Sequence, residues 1–453
     1  MGGGGPVGGA GPVGDSGRRL REDAKACLDA AVDAVEPTRL VREVFEQHPE
    51  TLPGTDPVHV VALGKAAAAM ARAACEILGP RVAGGVVIAP TDAEMPTAGN
   101  LRAFRGGHPI PTAGSERGAR AVAQLVDQLG AEDSLLCLIS GGGSALMTLP
   151  PSGVSLSDVR ETTGILLRAG ATIDELNCVR KHLDRLKGGR LAEIAAPARV
   201  LALLLSDVLG DRPDVIASGP LSPDPTKFSD ALAIVDRHRV RDRIPTPALE
   251  YLKSGARGAV PDTPGPDAPF FAGVDVRLVG SNRIAAHAAV EEAERRGYRT
   301  RLLTTTLTGE ANEVGRMLAA RGLEIRGGEG PILPPACLIS AGETTVDVRG
   351  TGKGGRNQEL VLGAALALHD RGPLRGPLLL ASMGTDGIDG ASHAAGAFAD
   401  QTTIARAEAL GLDAAAALTA NDSTPFFEAL DDLIVTGPTG TNVMDVQVVL
   451  IPE

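Results

Sequence analysis

Ser134-Leu-Leu-Cys-Leu-Ile-Ser-Gly-Gly-Gly-Ser-Ala-Leu146 begins as an unbroken apolar run and passes into three consecutive glycines. A strand with one face in water alternates apolar and polar residues, whereas a strand covered by helices on both faces is apolar throughout. The run is too short for a helix and reads as a buried strand over 134–140. Glycines just beyond such a strand remove the Cβ and let backbone N–H groups face a ligand. In an open α/β sheet, ligands gather beyond the carboxyl ends of the strands. Far downstream, Cys337-Leu-Ile-Ser-Ala-Gly-Glu-Thr-Thr-Val346 opens in the same way. Both runs end in Ser-x-Gly, so each half of the chain is expected to present one amide-rich turn.

The pattern spreads outward from there. Strands are expected at 59–63 (HVVAL), 84–90 (GGVVIAP) and 199–207 (RVLALLLSD), with helices at about 21–45, 65–78 and 115–129. Thr172-Ile-Asp-Glu175 is a capping box that opens another helix. Strands alternating with helices define a parallel sheet with both faces covered, an α/β fold. The proline-rich 261–269 (PDTPGPDAP) is the expected linker, because proline disrupts regular structure. Beyond it, strands are expected at 274–280, 299–305, 336–340, 344–349 (TTVDVR) and 377–383, and helices at 283–296, 310–321 and 356–369. The alternation in 442–451 (NVMDVQVVLI) predicts an antiparallel or edge strand.

With 453 residues, two domains are expected, and a hydrophobic fraction of 43% is enough for two cores. Aromatic residues make up 2%, so the cores are aliphatic and no base-stacking surface is foreseen. A net charge of −12 disfavours nucleic acid and anionic membranes, though a local basic cluster could still hold a small anion. The five cysteines are scattered, without C-x-x-C spacing, which fits a reducing compartment. The Gly/Pro-rich start has no apolar signal core and reads as a disordered tail over residues 1–20. No apolar run is long enough to span a bilayer.

The charged loops supply the candidate chemistry. Gly64-Lys65 follows a strand and opens a helix. Gly350-Thr-Gly-Lys-Gly-Gly-Arg-Asn-Gln-Glu359 sets Lys353 and Arg356 among glycines before a helix, and cations beside exposed amides suit a polyphosphate. Gly350, Gly352 and Gly355 match G-x-G-x-x-G formally. The match is weak, because the preceding strand alternates and no acid stands at the ribose-binding spacing. A Walker A loop is absent. Asp207 and Asp211, and likewise Asp386 and Asp389, sit at strand ends. They are candidates for Mg²⁺, which takes one or two carboxylates plus phosphate oxygens. The competing reading is an Asx turn. His108 and His182 lack partners at metal spacing and read as structural. There is no G-x-S-x-G elbow and no H-E-x-x-H.

Several of these motifs together resemble one family. ALGKAA, GGHPIPT, SGGGSAL, NCVRKHLDRLKGGRLA and SDVLGD resemble the N-terminal part of the glycerate 2-kinases. GGRNQEL, GTDGIDG, NDSTPFF and TGPTGTNVMD resemble their MOFRL region. The resemblance runs in order from about residue 25 to the C-terminus and is weakest at 221–228 and 235–270. It implies a two-domain α/β protein. A Rossmann-like parallel sheet would occupy 21–262 and a mixed α/β domain 270–453, with the MOFRL region at about 336–449 and the active site in the interdomain cleft. It also implies ATP-dependent phosphorylation of D-glycerate at the 2-hydroxyl with Mg²⁺ or another divalent metal. Lys65 and Arg356 are the implied catalytic pair.

On this reading Gly141, Gly142, Gly143 and Ser144 would bind phosphate or the glycerate carboxylate. Arg180 or Lys187 would hold that carboxylate. Glu343, Lys353, Gly355 and Asn357 complete the expected binding set, and Asp207, Asp386 and Asp389 the metal set. The expected partners are D-glycerate and ATP, with no nucleic acid and no membrane; the expected location is the cytoplasm, and a homo-oligomer is compatible with the sequence. One alternative is an NAD(P)H-dependent hydroxypyruvate reductase, a label also used in this family. Another is a non-catalytic module that senses a phosphorylated metabolite.

Overall fold

The computed structural model describes residues 15–52, 57–91, 93, 100–372 and 376–453. They form two compact units. One is Pro37–Gly280, and the other joins the described residues up to Glu36 to Ser281–Glu453.

The Pro37–Gly280 unit is built on β1 (Val58–Leu63), β2 (Val82–Pro90), β3 (Leu101–Gly106), β4 (Ser134–Ile139), β5 (Arg199–Leu205) and β6 (Val274–Gly280). The order is β3-β2-β1-β4-β5-β6, and every pairing is parallel. β4 is buried at every position, as its apolar run requires. Val61, Leu63, Ile88, Leu135 and Ile139 share one core with the helix Ala113–Val126. The helix Ala67–Leu78 buries mostly alanines, so its backbone can lie close to β1 and β2. A second core, containing Ile165, Leu176, Phe228 and Leu252, binds the helices Leu156–Arg168, Ile173–His182, Phe228–Arg237 and Thr246–Ala256 into a separate layer.

The expected linker at 261–269 does not divide the chain. Thr263 is buried and donates to Asp224 at 2.9 Å, and Asp262 accepts the Phe228 N–H at 2.9 Å. The strand that follows joins β5 as β6, so the sheet-forming unit runs on to Gly280. Its proline content signalled an irregular segment, but one stitched to its own unit by side-chain oxygens. β3, with exposed Arg102 and Arg105, is an edge strand whose charges hide it from a hydrophobic pattern.

The other unit contains β7 (Arg299–Leu307), β8 (Ala336–Gly342), β9 (Leu379–Gly384), β10 (Gly396–Asp400), β11 (Leu433–Ile434) and β12 (Asp445–Ile451), in the order β11-β10-β9-β12-β8-β7. Only β7–β8 is parallel. β12 is antiparallel to both neighbours, as its alternation suggested, yet it is central and wholly buried. Its polar residues face a polar interior, where Gln447 accepts from Ser340 at 2.9 Å. The 344–349 stretch is not a strand. Thr345 makes one isolated bridge to Glu310, and Asp347 turns back on Arg349.

The helix Asp15–Asp33 belongs to this unit, so residues 15–20 are helical and residues 21–36 are not part of the first domain. Asp23 accepts from Arg296 at 2.6 Å and from Tyr298 at 2.8 Å, and Arg21 pairs with Asp432. The rest of the expected tail, residues 1–14, lies outside the described residues. Among the described residues no helix is long and apolar enough to cross a membrane.

Candidate active site

In the parallel sheet, the chain winds outward in one direction through β1, β2 and β3 and in the other through β4, β5 and β6. The loops leaving β1 and β4 therefore diverge, which opens a crevice beyond their carboxyl ends. Gly64-Lys65-Ala66 leaves β1, and Ser140-Gly141-Gly142-Gly143 leaves β4. The Lys65 N–H donates to the Gly141 carbonyl at 2.9 Å, and the Ala66 N–H to Ser140 Oγ at 2.9 Å. Only glycine fits at position 64. Its φ is +119°, and a Cβ would lie 2.2 Å from Ser140 Oγ.

Three functional groups gather on these loops. The exposed Lys65 side chain is neither hydrogen-bonded nor ion-paired to any described residue. Asp207, at the exit of β5, packs against the Cα of Gly141. Desolvation pushes its carboxyl up from the usual range, and the Lys65 ammonium pulls it back. His108 lies against Gly142, where a Cβ would be 2.9 Å from the imidazole ring. Desolvation and then Lys65 lower its pKa. His108 therefore belongs to the site rather than to the core. The signal was its place in GGHPIPT, one of the motifs that carry the resemblance, rather than any metal spacing. His182 is structural, with Nδ1 at 2.8 Å from the Cys178 carbonyl and its ring against Phe228.

Ser144 Oγ lies 2.8 Å from Ser218 Oγ, which donates to Asn177 Oδ1 at 2.9 Å. Ser144 is then the donor between the two serines, and its lone pairs remain free to accept. Ala217 and Ser218 hold φ of +52° and +61°, a left-handed pair that costs strain outside glycine. Arg180 is partly buried without a hydrogen-bond or ion-pair partner among the described residues. Lys187 differs from expectation. It is buried, and its ammonium is spent on Asp184 and on the Met147 carbonyl at 2.7 Å, so it has no open face for a substrate carboxylate.

In the other unit, Arg356 opens the helix Arg356–Asp370. A cation there opposes the helix dipole, and two acids compensate. Asp445 accepts from Nη2 at 2.8 Å and from Nε at 2.5 Å, while Glu343 lies 2.9 Å from Nη1. Asp445, which the sequence reading missed, is buried at the head of β12. Asn357 sits at this centre too, accepting from Ser382.

Asp389 was expected as a metal ligand, but both of its oxygens are occupied. They accept the N–H groups of Asn357 and Gln358 at 3.0 and 2.9 Å and both side-chain amides at 3.3 and 3.0 Å. It caps the helix. Asp386 closes an Asx turn onto the Ile388 N–H at 3.1 Å. Gly355 is glycine because Asp389 lies on it, with a Cβ falling 2.3 Å from Oδ1.

The glycine loop is likewise packed against protein. Asn421 Oδ1 takes the N–H groups of Arg349 and Gly350 at 2.8 Å each, and Asp422 Oδ1 takes that of Lys353 at 2.8 Å. A Cβ on Gly350 would lie 2.0 Å from the Ala420 carbonyl. These glycines admit the 420–423 segment, and the amides of Gly350, Gly352 and Lys353, expected to cradle phosphate, are already paired. The Lys353 side chain is exposed. The second Ser-x-Gly also differs from the first. Ser340 lies within β8, and Gly342 is needed because a Cβ would lie 2.3 Å from the Leu307 carbonyl.

Among the described residues no group of three or more His, Cys, Asp or Glu side chains could enclose a metal ion. Mg²⁺ carried by a nucleotide needs fewer protein ligands. Asp207, with a carboxylate beside Lys65, fits that requirement; Asp389 does not.

A doubly wound parallel unit with an exposed lysine and a triple-glycine turn at its switch point defines an α/β protein suited to an anionic small molecule. Residues 23–253 match the domain of unknown function DUF4147, and residues 336–445 match the MOFRL family. The D-glycerate 2-kinase of Thermotoga maritima is 41% identical over 434 residues, covering 95% of this chain and 98% of that one. The glycerate kinase of Rattus norvegicus is 35% identical, covering 96% of this chain and 94% of its own. A crystal structure of glycerate kinase from Thermotoga maritima matches with a TM-score of 0.88 at 40% identity, covering 96% of this chain and all of that one. The chain belongs to the glycerate kinase family.

Proposed function

We propose that the chain is an ATP-dependent glycerate 2-kinase, transferring the terminal phosphoryl group of ATP to the 2-hydroxyl of D-glycerate. The observation that carries this reading is the pair of loops, Gly64–Ala66 and Ser140–Gly143, tied together at the switch point with an exposed Lys65. Phosphoryl transfer asks a protein for positioning and charge stabilisation more than for covalent chemistry. Lys65 supplies the charge for the transferring group. The amides of Gly141–Gly143 and the Ser144 hydroxyl orient phosphate or carboxylate oxygens. Asp207 is the carboxylate that would hold Mg²⁺, which when bound with ATP neutralises phosphate charge. Arg356, already oriented by Asp445 and Glu343, is the second cation on which transfer depends.

The reductase reading loses its one sequence motif, because the glycines at 350, 352 and 355 admit protein rather than a pyrophosphate. The test is direct. Purified protein incubated with D-glycerate, ATP and Mg²⁺ should release ADP in proportion to glycerate. The same protein with hydroxypyruvate and NADH should leave NADH unoxidised. NADH oxidation without glycerate-dependent ADP release would overturn the assignment.

A further inference from the structure

The glycine turn after β4 does not end in open solvent. Beyond Ser144 lies a pocket of about 710 Å³ within the Pro37–Gly280 unit, walled by the helices Leu156–Arg168 and Ile173–His182 and by the loop after His108. Its size falls in the range of nucleotide and drug pockets and far exceeds a small hydroxy acid. The lining is mainly apolar. Ile110 and Leu167 remain 56% and 53% exposed and both line this one cavity. Two large aliphatic side chains left in water at a single concavity are accounted for by a flat apolar ligand that covers them.

The charges in the pocket point the same way. Arg160, Arg168 and Arg180 line it against Glu161, because Asp184 is already spent on Lys187. The protein as a whole is strongly acidic, so this is a local reversal of sign. Arg180 is partly desolvated and makes no hydrogen bond or ion pair with a described residue, which is costly unless an anion completes it.

Two segments join this pocket to the lysine centre. His108 faces Gly142, and the next three residues, Pro109, Ile110 and Pro111, line the pocket. Gly141 receives the Lys65 N–H, and Ser144 and Ala145 line the pocket. From Gly141 to Ser144 the chain reaches at most ~10 Å, a distance that a ribose and phosphate tail can bridge.

We infer that this pocket seats the purine nucleoside of ATP, resting on the reading of the chain as an ATP-dependent kinase. The base lies on Ile110 and Leu167, with an arginine guanidinium over its face, since the described residues that line the pocket include no aromatic ring. Arg180 holds the inner phosphates, and the terminal phosphate reaches the Gly141–Gly143 turn and Lys65. Arg180 is thereby assigned to the nucleotide rather than to the glycerate carboxylate.

The test uses two exposed positions outside the catalytic groups, Ile110→Glu and Leu167→Glu, and a third variant, Arg180→Met. ADP and adenosine binding are measured by calorimetry, and steady-state kinetics are run with ATP and D-glycerate. Each Glu variant should weaken both ADP and adenosine by at least ~10-fold, the worth of one apolar contact. The KM for ATP should rise accordingly, with the KM for glycerate within about twofold of wild type. Arg180→Met should weaken ADP but not adenosine. Unchanged ADP affinity in both Glu variants, or a change confined to the glycerate KM, would overturn the assignment. A wild-type protein that binds ADP through Leu167 but leaves glycerate unphosphorylated would support the pocket and refute the kinase reading, so the two failures are distinguishable.

Discussion

The Asp207 carboxylate rests on the Cα of Gly141, so closely that a Cβ there would fall 1.9 Å from Oδ2. Glycine at this position is what allows the acid to stand beside Lys65. Gly141→Ala must move either the turn or Asp207. A displacement of about 1 Å is enough to cost ~100-fold in rate. We expect kcat/KM to fall by that order while the thermal midpoint changes little. Kinetics within a factor of three of wild type would show that the contact carries no catalytic weight.

Lys65 is exposed and makes no hydrogen bond or ion pair with a described residue, so its removal should leave the fold intact. Lys65→Met is expected to lower kcat by ~10²–10³-fold, the usual cost of deleting one charge-stabilising donor. Circular dichroism should match wild type. A kcat unchanged in this variant would mean that another cation acts on the transferring group.

His108 titrates below its ordinary 6.5, first through desolvation and then through the Lys65 ammonium. Its imidazole is therefore neutral at neutral pH and gains a proton only under more acidic conditions. The sign follows from linkage. Its contribution to stability is complete above 6.5 and is lost as the pH falls through the lowered folded-state value. NMR titration of the ring should place its midpoint below 6.5, and in Lys65→Met the midpoint should rise part of the way back. No movement in that variant would place the ammonium elsewhere.

Arg356 neutralises the buried Asp445 with two hydrogen bonds. Arg356→Ala leaves that carboxylate uncompensated. Breaking such a pair costs about 3–5 kcal/mol, and the lower end applies because Arg356 is one-third exposed. Urea denaturation should show a loss of about 3 kcal/mol, largely recovered in Arg356→Ala with Asp445→Asn, whereas activity should stay lost in both. Recovery of activity in the double variant would reduce Arg356 to a structural role.

Much of the parallel sheet was legible in the sequence, because β1, β4 and β5 are continuous apolar runs and only a strand covered on both faces looks that way. β3 was invisible for the opposite reason, since an edge strand carrying Arg102 and Arg105 has no apolar run to read. β12 shows the limit of alternation, which indicated the antiparallel pairing but also suggested an edge. Asp445 and Gln447 are buried, paired with Arg356 and Ser340, and sequence alone does not distinguish a solvated polar residue from one buried against a partner in the fold. The same limit applies to the glycine loop at 350–355. Its composition suited a phosphate cradle, but the oxygens of Asn421 and Asp422, which occupy its amides, lie some seventy residues further on. Lys187 and Asp389 were sound as residue types; their partners lie within the fold.

The central claim is that the lysine centre transfers a phosphoryl group to the 2-hydroxyl of glycerate, and phosphorus NMR of the product tests it most directly. With D-glycerate, ATP and Mg²⁺, the account predicts a new phosphomonoester signal split into a doublet by the single proton on C2, absent in Lys65→Met. A triplet from phosphate on C3, or no phosphomonoester at all, would contradict it.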